Sequence, residues 1–192
     1  MKARLLSHEV APFLGAISLL VLAALGCDAA LHWLGITWVG RYLGIPGFML
    51  ILASFVYSLR KHQVITVSSP AVLLRWHQRL AWSGALLVLV HAGIHFNTLL
   101  GWLAVGAMMV NIVSGLTGKI LLRRARVRLE TARMQMQANG AELKEIEDEL
   151  YWDSFTFDAV SQWRAVHRPI TLAFMTLALA HIVSILLLWG WK

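Results

Sequence analysis

The sequence predicts an all-α integral membrane protein, a bundle of about five transmembrane helices with a charged helical hairpin on the cytoplasmic side. Two observations predict it. Of 192 residues, 58% are hydrophobic and only 14% charged, with a mean hydropathy of +0.66, whereas a soluble domain carries charge at about a quarter of its positions. The apolar residues also fall in runs near the roughly 20 residues needed to cross about 30 Å of hydrocarbon at 1.5 Å per residue. Nine Trp and seven Met suit interfacial belts and soft packing in such a bundle.

In chain order, the apolar runs place spans near 11–33, 43–60, 73–96, 100–122 and 167–190, the second being the shortest. Lys2 and Arg4 before the first run resemble a signal peptide, but without a convincing small-residue cleavage site the run is expected to remain as a span. The stretch 35–47, GITWVGRYLGIPG, is interrupted by Gly and Pro and is expected as a short external loop. Val67-Ser68-Ser69-Pro70 punctuates the link to the third span, and Asn97 to Gly101 leaves room only for a tight turn before the fourth.

Residues 123–164 break the pattern, holding eight of the ten acidic residues and seven of the seventeen Lys and Arg. Asn139-Gly140 divides this stretch into a basic and an acidic half, each of helix-forming composition. The expected organisation is one membrane domain: 1–122 as the first four spans, 123–164 as the hairpin, 165–192 as the fifth span. Lys2, Arg4, Arg60, Lys61, Arg75, Arg79, Lys119, the Arg123–Arg128 cluster, Arg164 and Arg168 all fall at one set of span ends; Arg41 and Lys192 fall at the other. The positive-inside rule then predicts a cytoplasmic N-terminus and hairpin and an external C-terminus, in a membrane such as the bacterial inner membrane. The basic balance is thus spent on topology, and no nucleic-acid partner is expected.

The single cysteine, Cys27, leaves no internal disulfide, no Cys-rich metal site and no C-x-x-C-H attachment of a c-type haem. Any metal or haem is therefore expected to be held by histidine, without a thioether tether. His77 and His91 lie fourteen positions apart in the third span, and His167 and His181 fourteen apart in the fifth. Fourteen helical residues rise about 21 Å and turn about 40° short of four full turns, so each pair shares one helix face at two depths. The two spans run in the same direction, which sets His77 level with His167 and His91 level with His181. Four inward histidines at two depths describe two stacked bis-imidazole haem sites, held between the third and fifth helices. Polar side chains at such depth are costly and point to function when several face inward. Gly84, midway between His77 and His91, is expected to leave room for the macrocycles; Phe174 occupies the corresponding position of the fifth span.

Histidine pairs with this spacing on the third and fifth spans resemble the ferric reductase-type transmembrane domain, shared with NADPH oxidases and related to the sulfoxide-reductase haem subunits. The mitochondrial-type cytochrome b is similar in spacing but has one span fewer before its first histidine helix. The resemblance covers about 43–190 and rests on the histidine spacing. It implies two haem b groups, ligated by His77 with His167 and by His91 with His181. The chain departs from those reductases in having five spans rather than six, and neither a G-x-G-x-x-G nor a P-loop is present.

Around these ligands, Arg75, Arg79, Arg164 and Arg168 bracket the inner histidines as candidate partners for haem propionates, or simply as topology markers. Trp76, Trp82 and Trp163 are candidates for macrocycle edges, while Asn111, Ser114 and Thr117 are expected to bond between helices. His95, four residues after His91, is expected near a propionate, an exit path or a quinone site, or as ligand of a further haem. His8, His32 and His62 are expected in boundary roles. The function expected is a dihaem cytochrome b subunit carrying electrons across the membrane, with quinone as a further candidate ligand. Its expected partners are an iron–sulfur or flavin protein on the cytoplasmic hairpin and a c-type cytochrome outside. The alternatives are a stand-alone quinol-driven reductase of an external acceptor such as ferric iron, and a non-redox metal transporter.

Overall fold

The computed structural model describes residues 11–61, 63, 69–94, 98–117, 122–140 and 151–188. All secondary structure among them is helical: α1 (Ala11–Trp33), α2 (Thr37–Tyr42), α3 (Gly44–Ser54), α4 (Val56–Lys61), α5 (Pro70–Ile94), α6 (Leu99–Leu116), α7 (Leu122–Ala138) and α8 (Tyr151–Leu188). Among the described residues, four stretches are long and apolar enough to cross a membrane: Ala11–Trp33, Thr37–Arg60, Leu99–Leu116 and Ala165–Leu188. Large apolar side chains point outward from them, with Leu19, Leu22 and Leu187 exposed by 69%, 65% and 78%. Apolar surface this open belongs in lipid, where a helix also satisfies its own backbone polar groups. The chain is an integral membrane protein. Helix α5, 25 residues long, has the length of a span, but Arg75, His77, Gln78 and Arg79 near its start lower its hydropathy.

Two compact units divide the chain: one comprises Ser18–Val105 with Leu177–Lys192, the other Met1–Ile17 with Gly106–Thr176. In the first, α1 ends in a Schellman motif. Gly35 takes φ +68°, its N–H donates to the His32 carbonyl and that of Ile36 to the Leu31 carbonyl, as expected when a glycine closes a helix. The chain turns at once into α2, so the expected loop over 35–47 is mostly helix. Gly44 and Pro46 lie in the first turn of α3, where a missing N–H costs nothing. Leu43 and Phe55 each tighten the path, their N–H groups donating to the carbonyls of Gly40 and Leu52, and α2, α3 and α4 form one interrupted span.

Helix α5 starts where Ser69-Pro70 signals it. The Ser69 hydroxyl accepts the Val72 N–H at 3.4 Å, and Pro70 takes the first helical position. It packs along α3 through a glycine contact. A Cβ on Gly84 would stand 2.6 Å from the Gly47 carbonyl oxygen and 2.7 Å from Ile51 Cγ1, and one on Gly47 would stand 3.0 Å from the Gly84 carbonyl oxygen. Small residues of this kind let helix backbones approach closely in membranes.

In the second unit, α7 ends at Gly140, φ +78°, in keeping with the expected division of the hairpin at Asn139-Gly140. The first half of the acidic segment, 141–150, and the side chains of the Arg123–Arg128 cluster lie outside the described residues. The expected boundary at 164/165 is not a break in the backbone: α8 runs unbroken for 38 residues through Pro169. Its polar start and apolar remainder differ in composition, not in backbone conformation.

Candidate functional site

All four predicted histidines sit on the helices expected to carry them, and each has its Nδ1 bonded to an oxygen from a different segment. On α5, the Nδ1–H of His77 donates to the Ser54 carbonyl at 2.9 Å, and that of His91 donates to the Gly40 carbonyl at 3.2 Å. A carbonyl only accepts, so both imidazoles carry a proton on Nδ1, and in the neutral form the lone pair is on Nε2. Gly40 and Ser54 lie near the C-terminal ends of α2 and α3, where carbonyls lack regular intrahelical donors. They are also fourteen positions apart, matching the histidines they serve.

On α8 the partners are hydroxyls. Ser114, on α6 and 1% exposed, is 2.6 Å from His167 Nδ1 through its Oγ. Thr98, just before α6, places Oγ1 3.2 Å from His181 Nδ1 and accepts the Gly101 N–H at 3.3 Å as the helix N-cap. Gly101 and Gly115, again fourteen apart, lie against the His181 and His167 rings. His91 and His181 belong to the same unit and lie within electrostatic range of each other. His77 belongs to that unit and His167 to the other.

The other predicted residues divide. Gly84 is buried, but its bare face meets α3, so helix packing accounts for the missing side chain expected to make room for macrocycles. Gly44, passed over in the sequence, has the steric role at a ring: a Cβ there would stand 2.8 Å from His91 Cδ2 and 3.0 Å from Nε2. Arg75, Arg79 and Arg168 are exposed, and the Arg79 guanidinium lies over the Trp76 ring at 5.6 Å. The side chains of Arg164 and Trp163, and all of His95, His8 and His62, lie outside the described residues. Asn111 bonds between helices as expected, its Oδ1 accepting from Thr171 at 2.9 Å; Thr117 instead bonds its own helix at Val113. Phe174 is buried, 2% exposed.

Two features have no counterpart in the sequence reading. A cavity of about 270 Å³ opens beside His77, lined by Ser54, Tyr57, Leu73, Trp76 and Leu80 among others; the Tyr57 and His77 rings are 5.5 Å apart between centroids. Asp28 shares the inward face of α1 with buried Leu20 and Ala24, opposite Gly93 of α5. Its Oδ1 is buried without a hydrogen bond, with His32 Nδ1 3.6 Å away and bonded to the Asp28 carbonyl. A lone acid inside an apolar run was the available signal.

These residues fit axial ligation of a haem. Such ligation needs a neutral imidazole offering one nitrogen, with the other nitrogen's hydrogen bond fixing tautomer and ring orientation. Two imidazoles suffice for it. No protein-family model, no curated protein and no solved structure matches the chain.

Proposed function

We propose that the chain is the dihaem cytochrome b membrane subunit of a respiratory or redox complex, carrying electrons across the bilayer between quinone or a partner redox protein and an acceptor. The observation that carries this reading is the common treatment of the four histidines, each with its Nδ1 held by an oxygen of another segment. In this reading His77 with His167, and His91 with His181, are the axial ligands of two haem b groups. Helix α5 is then a fifth span, which its length permits and its pair of buried-facing ligands explains. The basic span ends put the N-terminus and the 123–164 segment on the cytoplasmic side, where an iron–sulfur or flavin protein would dock, with a c-type cytochrome at the outer face.

A bis-imidazole haem supplies one-electron chemistry at an iron that keeps both ligands in both oxidation states. The chain's own residues do the rest. The Gly40 and Ser54 carbonyls orient the α5 imidazoles through Nδ1–H, and the missing side chain of Gly44 leaves room beside the His91 ring.

The test is a haem count. Purified chain should give two haem b per polypeptide by pyridine haemochrome, and His91→Ala or His181→Ala should give one. A chain that binds no haem when expressed with adequate haem supply would sink the proposal and return attention to metal transport. Turnover of the isolated chain with quinol and ferric iron would make it a complete reductase rather than a subunit.

A further inference from the structure

The two hydroxyls facing α8 are not equivalent. Ser114 is fully buried and meets His167 Nδ1 at 2.6 Å. Thr98 meets His181 Nδ1 at the longer 3.2 Å with an oxygen that also accepts the Gly101 N–H. Once Nε2 is the ligating nitrogen, Nδ1 carries the proton and the hydroxyl oxygen is the acceptor. An acceptor that draws on Nδ1–H makes the imidazole a stronger donor to its metal. A short, buried bond draws more than a longer one whose oxygen also accepts a backbone N–H.

We infer that Ser114 and Thr98 are positioning residues of unequal strength, which tune the haems ligated by His167 and His181 through Nδ1. This rests on the dihaem reading and adds to it which side chains grade the two sites. Stronger donation stabilises ferric iron and lowers the potential. Removing Ser114's hydroxyl therefore raises the potential of the His167 haem more than removing Thr98's raises that of the His181 haem. Neither hydroxyl supplies a ligand, so both variants keep two haems.

The experiment is a redox titration of the full chain with its native haem, followed in the α-band and by electron paramagnetic resonance. Ser114→Ala should shift one haem component upward, and Thr98→Val should shift the other upward by less. Ser114→Thr and Thr98→Ser, which retain the hydroxyl, should titrate like the native chain. Unchanged potentials in both Ser114→Ala and Thr98→Val, with two haems bound, overturn the inference. So does a shift of the same component by both. Should Ser114→Ala lose a haem, retention in Ser114→Thr supports the hydroxyl's role, and loss in both variants overturns it. A native chain without haem fails at the first spectrum, which identifies the dihaem reading, not the tuning, as the error.

Discussion

The two histidine helices solve one problem with different chemistry. On α5 both imidazoles are held by main-chain carbonyls, at Ser54 and Gly40; on α8 both face side-chain hydroxyls, at Ser114 and Thr98. A carbonyl cannot be removed by substitution and cannot donate, so it fixes the tautomer outright. Its position, however, depends on the whole path of the segment that carries it. A hydroxyl works the other way, since one substitution deletes it while the helix around it stays in place. The α5 pair should thus be sensitive to how α2, α3 and α5 pack, and the α8 pair to individual side chains.

The largest effect should come from Gly84→Ala. Its Cβ meets the Gly47 carbonyl at 2.6 Å and Ile51 at 2.7 Å, both parts of the α3 contact, so the helices must part. Overpacking of this kind costs about 1–3 kcal/mol, and both α5 histidines lose alignment with their carbonyls together. Thermal unfolding in detergent should fall clearly, with weaker haem retention at both sites; a native-like melt would mean that the carbonyl-held pair tolerates movement. Gly44→Ala is narrower. Its Cβ presses first on His91, at 2.8–3.0 Å, so one haem of two should be lost while the melt changes less.

Gly101→Ala comes next. The new Cβ would sit 2.7 Å from Thr98 Oγ1 but 3.4 Å from His181 Cε1, so the hydroxyl moves and the ring does not. The expected outcome is a changed potential or resonance spectrum of a single retained haem. The smallest effect belongs to Thr171→Val, which deletes a hydroxyl within hydrogen-bond distance of Asn111 Oδ1 at 2.9 Å and of the main-chain carbonyl of His167 at 2.6 Å. Interhelical hydrogen bonds in membranes average about 0.6 kcal/mol. The melt should fall slightly with haem spectra unchanged; a spectral change would extend the hydroxyl network beyond Ser114 and Thr98.

Much of this was legible in the residues themselves. Long apolar runs gave the helices, Ser69-Pro70 gave the start of α5, and Asn139-Gly140 gave the end of α7. The fourteen-residue histidine spacing placed each pair on one helix. The misreadings have physical causes. Gly and Pro over 35–47 signal a turn, yet Pro46 falls in a first turn where helices accept it. The boundary expected at 164/165 coincides with the start of the apolar stretch Ala165–Leu188, and the helix simply runs through it. Gly84 was legible as special but its partner was not, because the contact with Gly47 joins segments 37 residues apart in the chain. Gly40, Ser54, Thr98 and Ser114 carry no motif, since an acceptor in space has no local signature.

The interrupted span from Thr37 to Arg60 has a consequence for variation among relatives of this chain. Its contribution to the histidines is made by two carbonyls fourteen residues apart and by the bare Gly44 beside His91, with Gly47 set against Gly84. The other side chains between the carbonyls are thus open to drift, while Gly44, Gly47 and the length are not. One residue inserted between Gly40 and Ser54 would displace one carbonyl from its register by about 1.5 Å and 100°, detaching one imidazole whichever end stayed fixed. In an alignment this segment should therefore read as a gap-free block, held by its count and by glycine at positions 44 and 47 and variable elsewhere.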